Sequence, residues 1–175
     1  MRVQHILGVI TMVSLATCIP AVLPAQQRDT ALQGVWRFVD EVDHRADGSI
    51  IKTGPPAGYS GLLIFTGSGY MSSTIMPKGR TWTRTTVTPA QLRETFEGAS
   101  AHAGRYEPDI AKHTVRMENM LSLDPADEGK WDVVEYRVRG DTLELSGPWT
   151  YNGQKLTFMI ELRRMPENVR FVEPH

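Results

Sequence analysis

The sequence predicts an all-β fold, an antiparallel up-and-down barrel of about eight strands with one helix crossing between strands 3 and 4. Three observations predict it. Apolar runs of strand length alternate with Gly, Asp, Asn and Pro turn chemistry from residue 32 to residue 164. One segment alone, opening at Thr88-Pro89, carries a strong helix start. The first run, Gly34-Val35-Trp36-Arg37-Phe38, sets Trp36 and Phe38 on one face, with a small residue two before the indole, so that the ring can lie across the floor of a closed sheet.

With 175 residues, 41% hydrophobic and 22% charged, the chain can build one domain with a real core. A formal net charge of -1 and the absence of any Lys/Arg run argue against nucleic acid as a partner. The beginning reads differently: Arg2, an apolar run over 6–23 and Ala25 predict a secretory signal peptide at 1–25, a single barrel domain over 26–175 and export to the periplasm or medium. Pro20 and Pro24 break the apolar run short of a comfortable membrane span. The single cysteine, in Leu15-Ala16-Thr17-Cys18, is similar to a lipoprotein box with Thr17 at a position usually held by a smaller residue; lipidation of Cys18 is the one route by which the sequence predicts a membrane partner. Cleavage at Ala25 removes Cys18, and with it any disulfide, thiolate ligand or cysteine nucleophile.

The first strand is expected over 32–42. His44-Arg45-Ala46-Asp47-Gly48 is turn chemistry, and 52–58, with Pro55-Pro56, cannot continue a ladder. Strands over 62–66 and 70–76 form a hairpin around Gly67-Ser68-Gly69. A polar crossing, 78–86, leads to Thr88-Pro89-Ala90-Gln91, a capping box with proline at the first helical position. Leu92, Phe96, Ala99 and Ala103 fall on one helical stripe, which Gly104 would end. Strands follow over 105–107, 113–121, 131–139, 142–146 and 155–164, with Gly140-Asp141 and Asn152-Gly153 at two hairpin turns.

Gly34-Val35-Trp36 resembles the Gly-x-Trp start of lipocalins, and the longer order of motifs resembles the bacterial lipocalin-like domain family: Gly61-Leu62-Leu63 with Gly69-Tyr70-Met71, then Gly104-Arg105-Tyr106, Gly140-Asp141-Thr142-Leu143-Glu144-Leu145 and Leu162-Arg163-Arg164. The resemblance spans roughly 31–165 and implies a barrel with an internal cavity, in a group that includes both carriers and enzymes. It also implies that an arginine of the last strand, Arg164 or failing that Arg163, lies across Trp36. The acidic stretch 123–130 departs from the family pattern.

Strand parity supplies the candidate ligand-binding residues. In 113–121 the more apolar parity is His113, Val115, Met117, Asn119 and Leu121, which turns His113, Met117 and Asn119 inward. Tyr136 shares the apolar parity of its strand, Tyr106 joins from a short one, and Phe38 faces in beside Trp36. A histidine, an amide and two phenols in an apolar chamber can orient a ligand, and His113 is the candidate proton carrier should the chamber be catalytic. The competing structural reading puts His113 at a wetted strand end and fills the core with both tyrosines.

Gly58-Tyr59-Ser60-Gly61-Leu62 lacks the last glycine of a nucleophile elbow. The stretch 43–54 fails as a calcium loop at Arg45 and Gly54, and Gly67 and Gly69 lack the third glycine of a dinucleotide loop. With no close histidine pair, neither metal nor cofactor is expected. The expected partner is a small apolar or amphipathic molecule held in the cavity; a cofactor-free isomerase or cyclase and a structural envelope protein are the alternatives, and the sequence sets no oligomeric state.

Overall fold

The Gly-Val-Trp run opens β1 (Gly34–His44), a long strand that pairs with β3 (Tyr59–Phe65) on one side and β10 (Gln154–Arg164) on the other. A computed structural model describes residues 29–166, so the expected signal segment 1–25, including Cys18, lies outside the described residues. From β3 the sheet continues through β4 (Tyr70–Pro77), β5 (Ser100–Asp109), β6 (Thr114–Glu118), β8 (Trp131–Arg139) and β9 (Thr142–Tyr151) back to β10. Every pairing is antiparallel, and the β1–β10 ladder closes an eight-stranded barrel. Two short strands, β2 (Ile50–Ile51) on β1 and β7 (Leu121–Ser122) on β5, are appended to it.

The helix α1 (Pro89–Glu97) follows β4 and precedes β5, rather than standing between strands 3 and 4, because Ile50–Ile51 adds a strand between the predicted turn and loop. Its start is the expected capping box on Thr88 and Gln91. Its end is Gly98, well before Gly104. From Ser100 the backbone pairs with β4, so Ala103 belongs to a strand and the helical stripe stops at Phe96. Gly104 sits in β5, where an added Cβ would lie 1.7 Å from the Glu118 carbonyl oxygen. At Asn152-Gly153 both residues adopt positive φ, 48° and 77°, as a two-residue hairpin turn with right-handed strand twist requires.

Antiparallel alternation sorts the connections into two ends. At one end, residues 29–33 fold as a turn beneath the barrel, and Leu32 is fully buried. Trp36 Nε1 donates to the Leu32 carbonyl at 2.7 Å. The Arg164 guanidinium lies 4.0 Å from the Trp36 ring centroid and donates to the carbonyls of Gln33 and Ala31, at 2.5 and 2.6 Å. Gly34 is needed there: its φ is +128°, and a Cβ would come within 2.8 Å of Arg164 Nη1. The core runs upward from this plug through Leu63, Phe65, Met71, Tyr106, Val115, Met117, Val134, Tyr136, Leu143, Leu145 and Leu162. The lower barrel is thus filled by side chains, and open interior is left at the other end.

Candidate functional site

One extra residue in β1 decides what faces that open end. Trp36, Arg37 and Phe38 pair with Arg164, Arg163 and Leu162, but Asp40 pairs with Glu161, so Val39 is left over as a bulge. A bulge resets parity. Trp36 and Phe38 face inward before it; beyond it the inward positions are Glu41 and Asp43, opposite Ile160 and Phe158, which lie on the inward parity of β10. Unbroken alternation would have sent both carboxylates to solvent.

Asp43 is only 1% exposed. Its Oδ1 accepts from Trp149 Nε1 at 2.7 Å and its Oδ2 from Thr53 Oγ1 at 2.5 Å, so two neutral donors hold a carboxylate inside the barrel and tie the loop 52–58 down over it. Phe38 packs edge-on against Tyr59, ring centroids 5.8 Å apart, and Gly54 lies so close to the Tyr59 ring that a Cβ there would clash. Together Phe38, Glu41, Asp43, Tyr59 and the Lys52–Gly58 loop enclose a cavity of about 120 Å³. That is well below the roughly 300–1,000 Å³ of a pocket for a drug-sized ligand. Its volume matches a compact group rather than a whole drug-sized molecule.

A family model of the lipocalin-like domain matches residues 33–158. The chain belongs to that family. A comparison with curated proteins returned no match.

Glu41 is the perturbed group of the cavity. Burial, with the Asp43 and Asp40 charges adding to it, lifts its pKa from the ordinary 4.5 to about 7. Burial and the same acidic surroundings also raise the Tyr59 hydroxyl. A second polar group stands on the opposite wall, since β5, β6 and β8 are three to five strands round from β1 in the ring. There Asn119, 4% exposed, donates through Nδ2 to Asp132 at 2.8 Å, while its Oδ1 has no partner among the described residues. Burial lowers the pKa of the neighbouring His102, against the opposing charges of Asp132 and Asp127. That burial favours the neutral imidazole, whose free ring nitrogen is a hydrogen-bond acceptor.

The residues expected to bind ligand do not converge. Phe38 lines the cavity and Asn119 faces the open end, but Met117 is packed in the core. Tyr106 stacks edge-on with Phe65 and donates to the Thr66 carbonyl, and the Tyr136 hydroxyl donates to Asp29 at 2.6 Å, both at the plugged end. Burial, then that carboxylate, raise the Tyr136 pKa. His113 does not face inward: it is the left-handed last residue of the β5–β6 turn, φ 55°, exposed to solvent. The strand starts one residue later, at Thr114, because the turn needs a fourth residue. Glu41, Asp43, Tyr59, His102 and Asp132 escaped parity reading. The signal available was the run Asp40, Glu41, Asp43, whose acids occupy both parities of one strand and so fit no unbroken ladder.

The raised Glu41 pKa has a consequence for stability. Native Glu41 holds its proton up to about pH 7 while the unfolded chain releases it near 4.5, so the stability linked to that proton is fully present below pH 4.5 and lost as pH rises through 7. After discounting for partial exposure the loss is about 2 kcal/mol. Glu41→Gln is therefore expected to match wild type at about pH 4 and to exceed it by about 2 kcal/mol at about pH 8 in urea unfolding. A gain of equal size at both pH values would show that burial of the charge is not its source.

Proposed function

We propose that this lipocalin-like barrel binds a compact amphipathic molecule, or the head of a longer one, at its open end, with an apolar part on Phe38 and Tyr59 and a cationic or hydrogen-bond-donating part toward Glu41 and Asp43. The carrying observation is the small cavity in which two aromatic rings meet two carboxylates. Apolar contact supplies most of the affinity, and a cation near both rings and carboxylates adds to it. Benzylamine and benzoate, equal in size and opposite in charge, test the reading by calorimetry. Benzylamine is expected to bind in preference, Phe38→Ala to weaken it by about 1.5–3 kcal/mol, and His113→Gln to leave it unchanged. Equal binding of benzoate, or indifference to Phe38→Ala, would refute the assignment.

A second reading is cofactor-free acid–base catalysis, and the observation that favours it is Glu41 itself. With His113 outside the barrel at the plugged end, the proton carrier of this reading is Glu41, whose pKa of about 7 suits transfer in either direction. Conversion of a bound molecule that survives intact in Glu41→Gln would eliminate it.

A further inference from the structure

The crossing from β4 to β5 stands at the open end of the barrel and carries an unused surface. No residue of α1 is buried; Leu92 and Phe96, one turn apart, are 50% and 55% exposed. At 100° per residue Arg93 flanks this apolar stripe, Glu97 stands further round and Glu94 lies on the far side. The loop before the helix contributes Lys78, Arg80 and Arg84 around Trp82, with no acid from 78 to 88. Among the described residues none of these four cations is in an ion pair, although the barrel wall pairs Arg105, Arg116, Arg137, Arg139 and Arg163 with carboxylates. The acids of the other connections at this end are Asp47 of the β1–β2 turn and Asp124, Asp127 and Glu128 of the β7–β8 connection.

Exposed Leu and Phe on one helical face, cations along its border and an adjoining basic loop with a tryptophan match an interfacial surface for anionic lipid. We propose that residues 78–97 dock the mouth of the barrel on an anionic membrane surface, with Leu92 and Phe96 entering the headgroup layer and Lys78, Arg80, Arg84 and Arg93 meeting lipid phosphates. Charge complementarity selects lipid over a second copy of the chain: two copies meeting through this surface would bring four unpaired cations against four. Docking in this orientation sets the open end against the bilayer, where an amphipathic ligand partitions. The surface stands on its own observations, whatever the cavity binds.

Hydrogen exchange of the full chain, read peptide by peptide, tests the surface with phosphatidylcholine vesicles and with mixed phosphatidylcholine–phosphatidylglycerol vesicles. Binding through any other segment leaves 78–97 unprotected, which keeps the readout specific. Protection of 78–97 is expected with the mixed vesicles only, and to fade as salt is raised. Each cation replaced by Gln is expected to lower the vesicle partition constant about fivefold. Leu92→Ser with Phe96→Ser lowers it at least about tenfold, and neither set touches a buried residue. Equal protection by both vesicle types, no protection by either, or lipid-free protection that grows with protein concentration as a dimer forms would each overturn the proposal. A failure of benzylamine binding with protection intact would refute the cavity reading alone.

Discussion

Trp36→Ala is expected to cost about 3–5 kcal/mol, read as a lowered urea midpoint with an unchanged slope. The indole is fully buried, so its removal takes away more apolar contact than any other single truncation in the plug. Three further links fail with it. Nε1 no longer donates to Leu32, the residue that closes the barrel floor. The Arg164 guanidinium loses the ring beneath it, a contribution of about 0.5–2 kcal/mol, while remaining tied to the Gln33 and Ala31 carbonyls. The 29–33 turn, held by these contacts and by Tyr136 on Asp29, then has less to rest on. Arg164→Met in a double-mutant cycle separates the terms: coupling of the predicted cation–π size is expected with Trp36, and additivity within about 0.3 kcal/mol would show that ring and guanidinium act independently.

This plug was the part of the fold most legible in sequence, because its first-strand half follows local rules and the family resemblance supplies its distant partner. Gly34 two before Trp36 specifies a ring with a small neighbour by strand alternation, and the family resemblance adds the cation, Arg164 of the last strand, across that ring. The hairpin turns and the Thr88 capping box were legible from local rules as well. The open end was not, since its arrangement depends on pairing between distant segments. The Val39 bulge exists because of how β1 meets β10, and it alone carries Glu41 and Asp43 inside. His102 stood in a stretch whose small residues continue a helical stripe, until pairing with β4 from Ser100 makes it a strand. Of the two placements read for His113, the wetted strand end holds and the inward one does not: its parity was right for Val115 and Met117, but a strand's parity says nothing of the residue that has to adopt positive φ to begin it.

Gly104→Ala is expected to be the most disruptive single methyl group that can be added to this barrel, at about 3 kcal/mol or more. The added carbon would stand 1.7 Å from the Glu118 carbonyl oxygen, 2.8 Å from its carbon and 3.0 Å from the Met120 nitrogen. All three obstacles are backbone, so no rotamer change relieves the contact; β5 and the end of β6 have to separate. That separation acts directly on the polar wall of the open end. Asn119 is the residue between those obstacles, its backbone bonded to Lys130 and Gly129 and its amide to Asp132. As the wall opens, water reaches His102, and its imidazole is expected to titrate closer to the ordinary value than in wild type. Gly140→Ala is the control: its φ of +57° strains any L residue, but nothing lies within 4 Å of the new carbon, so the cost is about 1–2 kcal/mol with His102 unchanged. Urea unfolding of both variants, with the His102 titration followed by NMR, decides the matter. If Gly104→Ala proved no more costly than Gly140→Ala, the close crossing of β5 beneath the Glu118 carbonyl would not be what fixes this wall.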